Sequence, residues 1–171
     1  ADMTLDQTIR QFIDRFTMPD LKSLDWQTTA DRLRRQFYLA SHAIEKDAPE
    51  MADISHISIP SGAGAAMKAR FYTPLGAGIA PGPGIIFFHG GGFVLPMFDV
   101  HWPLAAAMVE ACGISISLPL YDVVPEHPWT HQDAVADAAF ARIAESHDPA
   151  RIILNGDSAG GHMALTLALR L

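Results

Sequence analysis

The sequence predicts an α/β domain in which a mostly parallel sheet carries helices on both faces. Three observations lead there. From Gly84 onward, short apolar strand-like runs alternate with helix-length stretches, the pattern left by crossover units on a parallel sheet. The run Gly84-Ile85-Ile86-Phe87-Phe88 is apolar without alternation, as a strand buried on both faces must be. Two of the predicted strands end in glycine-rich bends, and open α/β sheets place their sites at the carboxyl ends of their strands.

The elements follow in order. Leu5, Ile9, Phe12, Ile13 and Phe16 recur at helical spacing until Pro19 ends the pattern. A second amphipathic helix begins after Asp25 as its N-cap. Its stripe is Ala30, Leu33, Phe37, Ala40 and Ile44, with Arg32, Arg34 and Arg35 turned to water. Core packing and a lid over a binding site are both open readings of this pair. Met67, Ala69 and Phe71 then alternate with Lys68, Arg70 and Tyr72, and the link Ser61-Gly62-Ala63-Gly64 suits a turn, so residues 54–73 read as an antiparallel pair. After the connector Pro74 to Pro83 comes the buried strand at Gly84. A helix near Pro103 to Ala111, a strand Ile114 to Leu118, a helix Gln132 to Ser146, a strand Arg151 to Asn155 and a helical stretch Met163 to Leu171 complete the alternation.

Composition narrows the function. The chain has 171 residues, 49% of them apolar, enough for one domain with a core. Its net charge of -7 and the lack of a Lys/Arg cluster argue against a nucleic-acid partner. Cys112 stands alone, so no internal disulfide forms, and its apolar neighbours from Met108 to Ile116 predict a buried thiol in a reducing compartment. No apolar run approaches the roughly 18 residues of a membrane span, and Ala1-Asp2-Met3-Thr4 lacks the marks of a signal peptide. The expected location is cytoplasmic.

Chemistry concentrates at two bends. Ile152-Ile153-Leu154-Asn155 leads into Gly156-Asp157-Ser158-Ala159-Gly160-Gly161, a serine between glycines at a strand-to-helix corner. That is the pattern of a nucleophile elbow, where small neighbours let the backbone turn and leave Oγ exposed. The following helix directs its unpaired N–H groups at any negative charge formed beside the serine. The second bend, His89-Gly90-Gly91-Gly92, follows the buried strand and is read as opening a helix as well. Successive glycines suit a backbone that presents N–H groups outward. A phosphate cradle is disfavoured, because no Gly-Lys-Ser/Thr follows and no Gly-x-Gly-x-x-Gly is present. Oxyanion donors for acyl transfer are the better reading, with a tight structural turn as the alternative for either motif alone.

These motifs resemble those of the hormone-sensitive-lipase-like esterases, which are α/β-hydrolases. His89-Gly90-Gly91-Gly92-Phe93-Val94 matches the family's oxyanion motif, Gly156-Asp157-Ser158-Ala159-Gly160-Gly161 its nucleophile motif, and Tyr121 with Pro125-Glu126-His127-Pro128 its intervening segment. The chain departs from the family at Asp122-Val123-Val124, where Arg, Leu and Ala are usual, and at His162, where Asn is frequent. The resemblance implies an α/β-hydrolase fold, with an N-terminal helical cap over residues 1–48 and the N-terminal part of the catalytic domain over 49–171. It implies Ser158 as nucleophile, the backbone N–H groups of Gly91, Gly92 and Ala159 as oxyanion hole, and His89, Gly90, Gly156, Asp157 and Gly160 as motif support. The implied reaction is carboxylic ester hydrolysis through an acyl-enzyme, on a small-molecule ester and without a cofactor.

The order of the fold places the acid and base of the triad after the serine. Beyond Ser158 the chain offers no carboxylate side chain and one histidine, His162. Upstream groups such as Asp99, His101, Glu126, His127 and His131 suit only another chain order. His127 and His131 have metal-compatible spacing, but Pro128 and the lack of a clear third ligand favour surface histidines, so no metal is expected. The expectation is therefore that the C-terminal part of the fold is absent, its remaining half being a separate chain or a missing segment against an open sheet edge. A homo-oligomer stays open. The alternative is a catalytically inactive fragment that binds a partner through that edge.

Overall fold

A computed structural model of the protein describes residues 23–41, 52–60, 66–74, 82–97, 101–128 and 130–171. The helix predicted around Leu5 to Phe16, the turn 61–64, Ile44 and Asp99 lie outside these residues. The strands are β1 (Ala52–Pro60), β2 (Ala66–Pro74), β3 (Gly84–Phe88), β4 (Ser115–Leu120) and β5 (Ile152–Gly156); the helices are α1 (Trp26–Ser41), α2 (His101–Cys112), α3 (His131–Ala144) and α4 (Ala159–Ala168).

They form one sheet in the order β1-β2-β4-β3-β5. β1 and β2 are the expected antiparallel pair, with Ile57 opposite Ala69, and β2 continues antiparallel onto β4. Parallel order holds for β4, β3 and β5. β4 runs on through Pro119 because β2 pairs beside it as far as Leu120, whereas its pairing with β3 ends at Ser117.

All of β3 is buried, and its period of two divides the core. Ile86 and Phe88 pack with Val135, Ala136, Ala139 and Ile143 of α3 and with Met163, Ala164 and Leu167 of α4. Ile85 and Phe87 face the other way, onto Ala105 and Val109 of α2 and Ile116 and Leu118 of β4. Helices thus cover both faces, as the alternation of runs predicts. Among the described residues, no helix is long and apolar enough to cross a membrane.

Four local expectations need correction. Cys112 is exposed, because it is the last residue of α2 and the chain turns away at Gly113, whose φ is 63°. α4 starts at Ala159 rather than Met163: the Gly160 N–H closes on the Asp157 carbonyl at 2.8 Å and the His162 N–H on that of Ser158 at 3.1 Å, so the glycines form its first turn. The His89–Gly92 bend opens no helix, since Gly91, Gly92 and Phe93 have φ of 124°, 62° and 61°, outside the helical region.

The fourth concerns α1. Asp25 caps it as expected, accepting from the Gln27 N–H at 3.1 Å and the Thr28 hydroxyl at 2.6 Å. Ala30 is fully buried, yet Phe37 is 48% exposed, so the predicted stripe is only partly covered. Arg34 does not face water. Its guanidinium grips Glu126 through two bonds of 2.6 and 2.7 Å and donates to the carbonyls of Val94 at 2.9 Å and Val124 at 2.8 Å. A planar fork with several donors suits such a site better than solvent.

Candidate active site

β3 and β5 pair in parallel with Phe88 opposite Gly156, so the segments leaving their carboxyl ends start side by side. From β5 the chain enters Asp157 and Ser158. Ser158 has φ 52° and ψ -115°, a conformation that costs a non-glycine residue of order 1–3 kcal/mol, and its side chain is exposed. Neighbouring contacts hold it there. The Asp157 N–H donates to the Phe88 carbonyl at 3.3 Å, and Gly160 packs so closely on that same carbonyl that a Cβ would overlap it. Ala159, buried, is the first residue of α4, and its N–H has no acceptor among the described residues.

From β3 the chain enters His89-Gly90-Gly91-Gly92. The Gly90 N–H donates to Asp157 Oδ1 at 2.7 Å, fastening the glycine bend to the serine bend. Gly91 turns its carbonyl inward to accept from Val94 and Leu95 at 3.0 and 2.9 Å. The N–H groups of Gly91 and Gly92, like that of Ala159, have no acceptor among the described residues. Two bends joined by that bond therefore carry unspent backbone donors, and one of them carries an exposed hydroxyl at the positive end of α4.

His89 is fully buried and braces the bend. Its ring stacks on Tyr121 with centroids 3.9 Å apart, Nδ1 lies 2.7 Å from the Gly90 carbonyl, and the Tyr121 hydroxyl donates to the His89 carbonyl. A carbonyl only accepts, so Nδ1 carries the proton, and Nε2 is left buried without a partner. Burial pushes the His89 pKa down to about 4 and raises that of Tyr121. Such a histidine is neutral at pH 7 and enclosed, which suits support rather than proton transfer. The linkage has a definite sign: the folded pKa lies below the unfolded value of 6.5, so the contribution is complete above pH 6.5 and is lost as pH falls toward 4. We expect urea-unfolding stability to drop across that window by on the order of 3 kcal/mol more in wild type than in His89→Asn. Equal pH dependence of the two proteins would contradict the assignment.

None of the remaining described candidates hydrogen-bonds Ser158 Oγ. His162 is exposed in the first turn of α4, edge-on to Phe93 at 5.9 Å. His101, in α2, is buried and has Nε2 3.8 Å from Asp157 Oδ1. Glu126 is committed to Arg34, which holds its carboxyl down to about 2. His127 and His131 lie together beside Asp122. Among the described residues, no side chain hydrogen-bonds Ser158 Oγ. Asp157, expected as motif support, ties one bend to the other through its carboxylate. Sequence reasoning missed Asp122, which joins the histidine pair and needed the loop's closure to be seen.

Comparison with known proteins agrees with this fold. Residues 85–171 match the family described as alpha/beta hydrolase fold. The carboxylic ester hydrolase LipN of Mycobacterium tuberculosis is 33% identical over 121 residues, covering 66% of this chain and 31% of that protein. An ethyl acetate hydrolase of Pseudomonas putida is 31% identical over 150 residues, covering 83% and 46%. A solved esterase from Pyrobaculum calidifontis superposes with a TM-score of 0.76 at 26% identity, covering 98% of this chain and 53% of that one. The chain spans less than half the length of the two curated relatives.

Proposed function

We propose, since this chain belongs to the alpha/beta hydrolase fold family, that it supplies the nucleophile and the oxyanion donors of a carboxylic ester hydrolase acting on small-molecule esters. The observation that carries the reading is the bond from the Gly90 N–H to Asp157 Oδ1, which ties the bend holding the uncommitted N–H groups of Gly91 and Gly92 to the bend holding exposed Ser158, in left-handed backbone, and Ala159. In this reading Ser158 Oγ attacks the acyl carbon while a base takes its proton. The carbonyl oxygen becomes an oxyanion held by the three amides, each worth about 2.7 to 4 kcal/mol toward the barrier. Return of the proton to the alkoxide releases the alcohol and leaves an acyl-enzyme, which water then hydrolyses. Asp157 and His89 position the donors without touching the substrate.

The base and its orienting carboxylate lie, in this proposal, outside the present sequence. Its support is that no described histidine hydrogen-bonds Ser158 Oγ, together with the greater length of the relatives. The same proposal gives the edge of the described sheet an occupant. Beside β5 runs a groove of about 350 Å³ lined by Leu154, Ala164 and Leu165, and Ile153 and Leu165 are 46% and 61% exposed. The rest of the hydrolase covers them. Residues 1–48 act as the cap over domain 49–171, which the anchorage of Arg34 to the Val94 carbonyl, just after the glycine bend, supports. A cytoplasmic location rests on the lone cysteine.

The exposed edge also favours a second reading, an inactive chain that docks a partner there. The full-length protein is expected to hydrolyse p-nitrophenyl butyrate; complete inactivity in a folded sample would favour the second reading.

A further inference from the structure

The loop from β4 to α3 gathers three metal-ligating side chains outside the site described above. Asp122 follows β4, His127 lies in the loop, and His131 is the first residue of α3. Asp122 Oδ2 is 3.8 Å from His127 Nε2 and 4.0 Å from His131 Nε2, and one donor atom from each residue lies within 4.8 Å of the others. The loop is closed on itself. The His127 N–H donates to the Val123 carbonyl at 3.2 Å, the His131 N–H to that of Pro128 at 2.9 Å, and Gln132 Nε2 to that of Asp122 at 2.6 Å. The backbone that presents all three groups is therefore fixed before any ion arrives.

We propose that Asp122, His127 and His131 bind one divalent transition-metal ion of the zinc class. Two imidazoles and a carboxylate are ligands that suit zinc and its first-row neighbours; magnesium and calcium prefer oxygen alone. Zinc holds such donors at about 2.0 to 2.2 Å, which in a tetrahedron separates them by about 3.4 Å. The two separations from Asp122 are wider by roughly half an ångström, and the third lies within 4.8 Å. Rotation of the Asp122 and His127 side chains, 47% and 43% exposed, brings them in, while His131, at 10%, stays as the fixed ligand. The three protein ligands leave a position for water. An ion bound here clamps the loop that carries Glu126, next to His127, and hence the anchor of α1 at Arg34.

The test is isothermal titration of untagged full-length protein with Zn²⁺ at pH 7.5, beside Asp122→Asn, His127→Ala and His131→Gln. Wild type is expected to take up one equivalent, and each substitution to weaken it by at least about tenfold. Asp122 and His127 are half-exposed, so their variants keep the test valid even where His131→Gln fails to fold. An absence of saturable binding in wild type, or affinity unchanged in Asp122→Asn and His127→Ala, would overturn the proposal. Hydrolysis of p-nitrophenyl esters does not enter the readout, so its outcome is independent of the proposed esterase activity.

Discussion

Ser158→Ala in the full-length protein is expected to lower kcat/KM for p-nitrophenyl butyrate by about 10⁴-fold or more, with the folded structure intact. The size of the effect follows from the role. Removing Oγ removes the atom that forms the acyl-enzyme, while the backbone amides of Gly91, Gly92 and Ala159 remain and can still polarise a carbonyl. The effect is chemical rather than structural, because the side chain is exposed and makes no cap bond to α4. Unchanged thermal unfolding together with lost turnover would satisfy the expectation. Turnover at the wild-type rate would remove Ser158 from the mechanism.

The second large effect is on folding. Gly160→Ala is expected to destabilise the protein by about 3 kcal/mol or more, enough to abolish soluble expression or lower the unfolding midpoint sharply. A methyl group there would meet the carbonyl oxygens of both Phe88 and His89, the latter at 2.7 Å. Phe88 ends β3, whose position is fixed by neighbours on both sides and by two cores, and His89 follows it directly and is fully buried, so neither partner can yield. Two nearby glycines provide scale. At Gly161 the nearest atom would be the Gly156 oxygen at 3.2 Å, a contact that a small shift relieves. At Gly92 nothing lies within 4 Å, and the left-handed φ of 62° sets the cost, about 1–2 kcal/mol for alanine. Equal stability of Gly160→Ala and Gly161→Ala in a denaturant titration would contradict the packing of the elbow against β3.

Both effects come from parts of the chain that can be read without coordinates. β3 is legible because five consecutive residues are buried and their periodicity serves two cores at once. The elbow is legible because few residue types tolerate its backbone, so the motif nearly dictates the geometry. Arg34 was not legible: helical periodicity puts it on the polar face, and only the return of the chain at Val124 and Glu126 gives it acceptors. Cys112 misleads for a related reason, since apolar neighbours in sequence do not enclose the last residue of a helix. The glycine bend misleads in its continuation. Three positive φ values in a row, ending at Phe93, exclude the helix that alternation suggests. Asp122 escapes notice because metal-ligand patterns are sought between histidines, and its approach depends on a loop folding back by several residues.

The central claim is that the Ser158 hydroxyl is activated beside a set of free amides. The most direct measurement is reaction of the full-length protein with a fluorophosphonate, followed by mass spectrometry of the peptide containing Gly156 to Gly161. A fluorophosphonate transfers its phosphonyl group, with loss of fluoride, only to an activated hydroxyl, and the resulting adduct places its polarised phosphoryl oxygen where the acyl oxyanion forms. One phosphonyl group on Ser158, blocked by prior incubation with substrate ester, is the predicted result. An unmodified Ser158 in a protein that still cleaves the ester would contradict it.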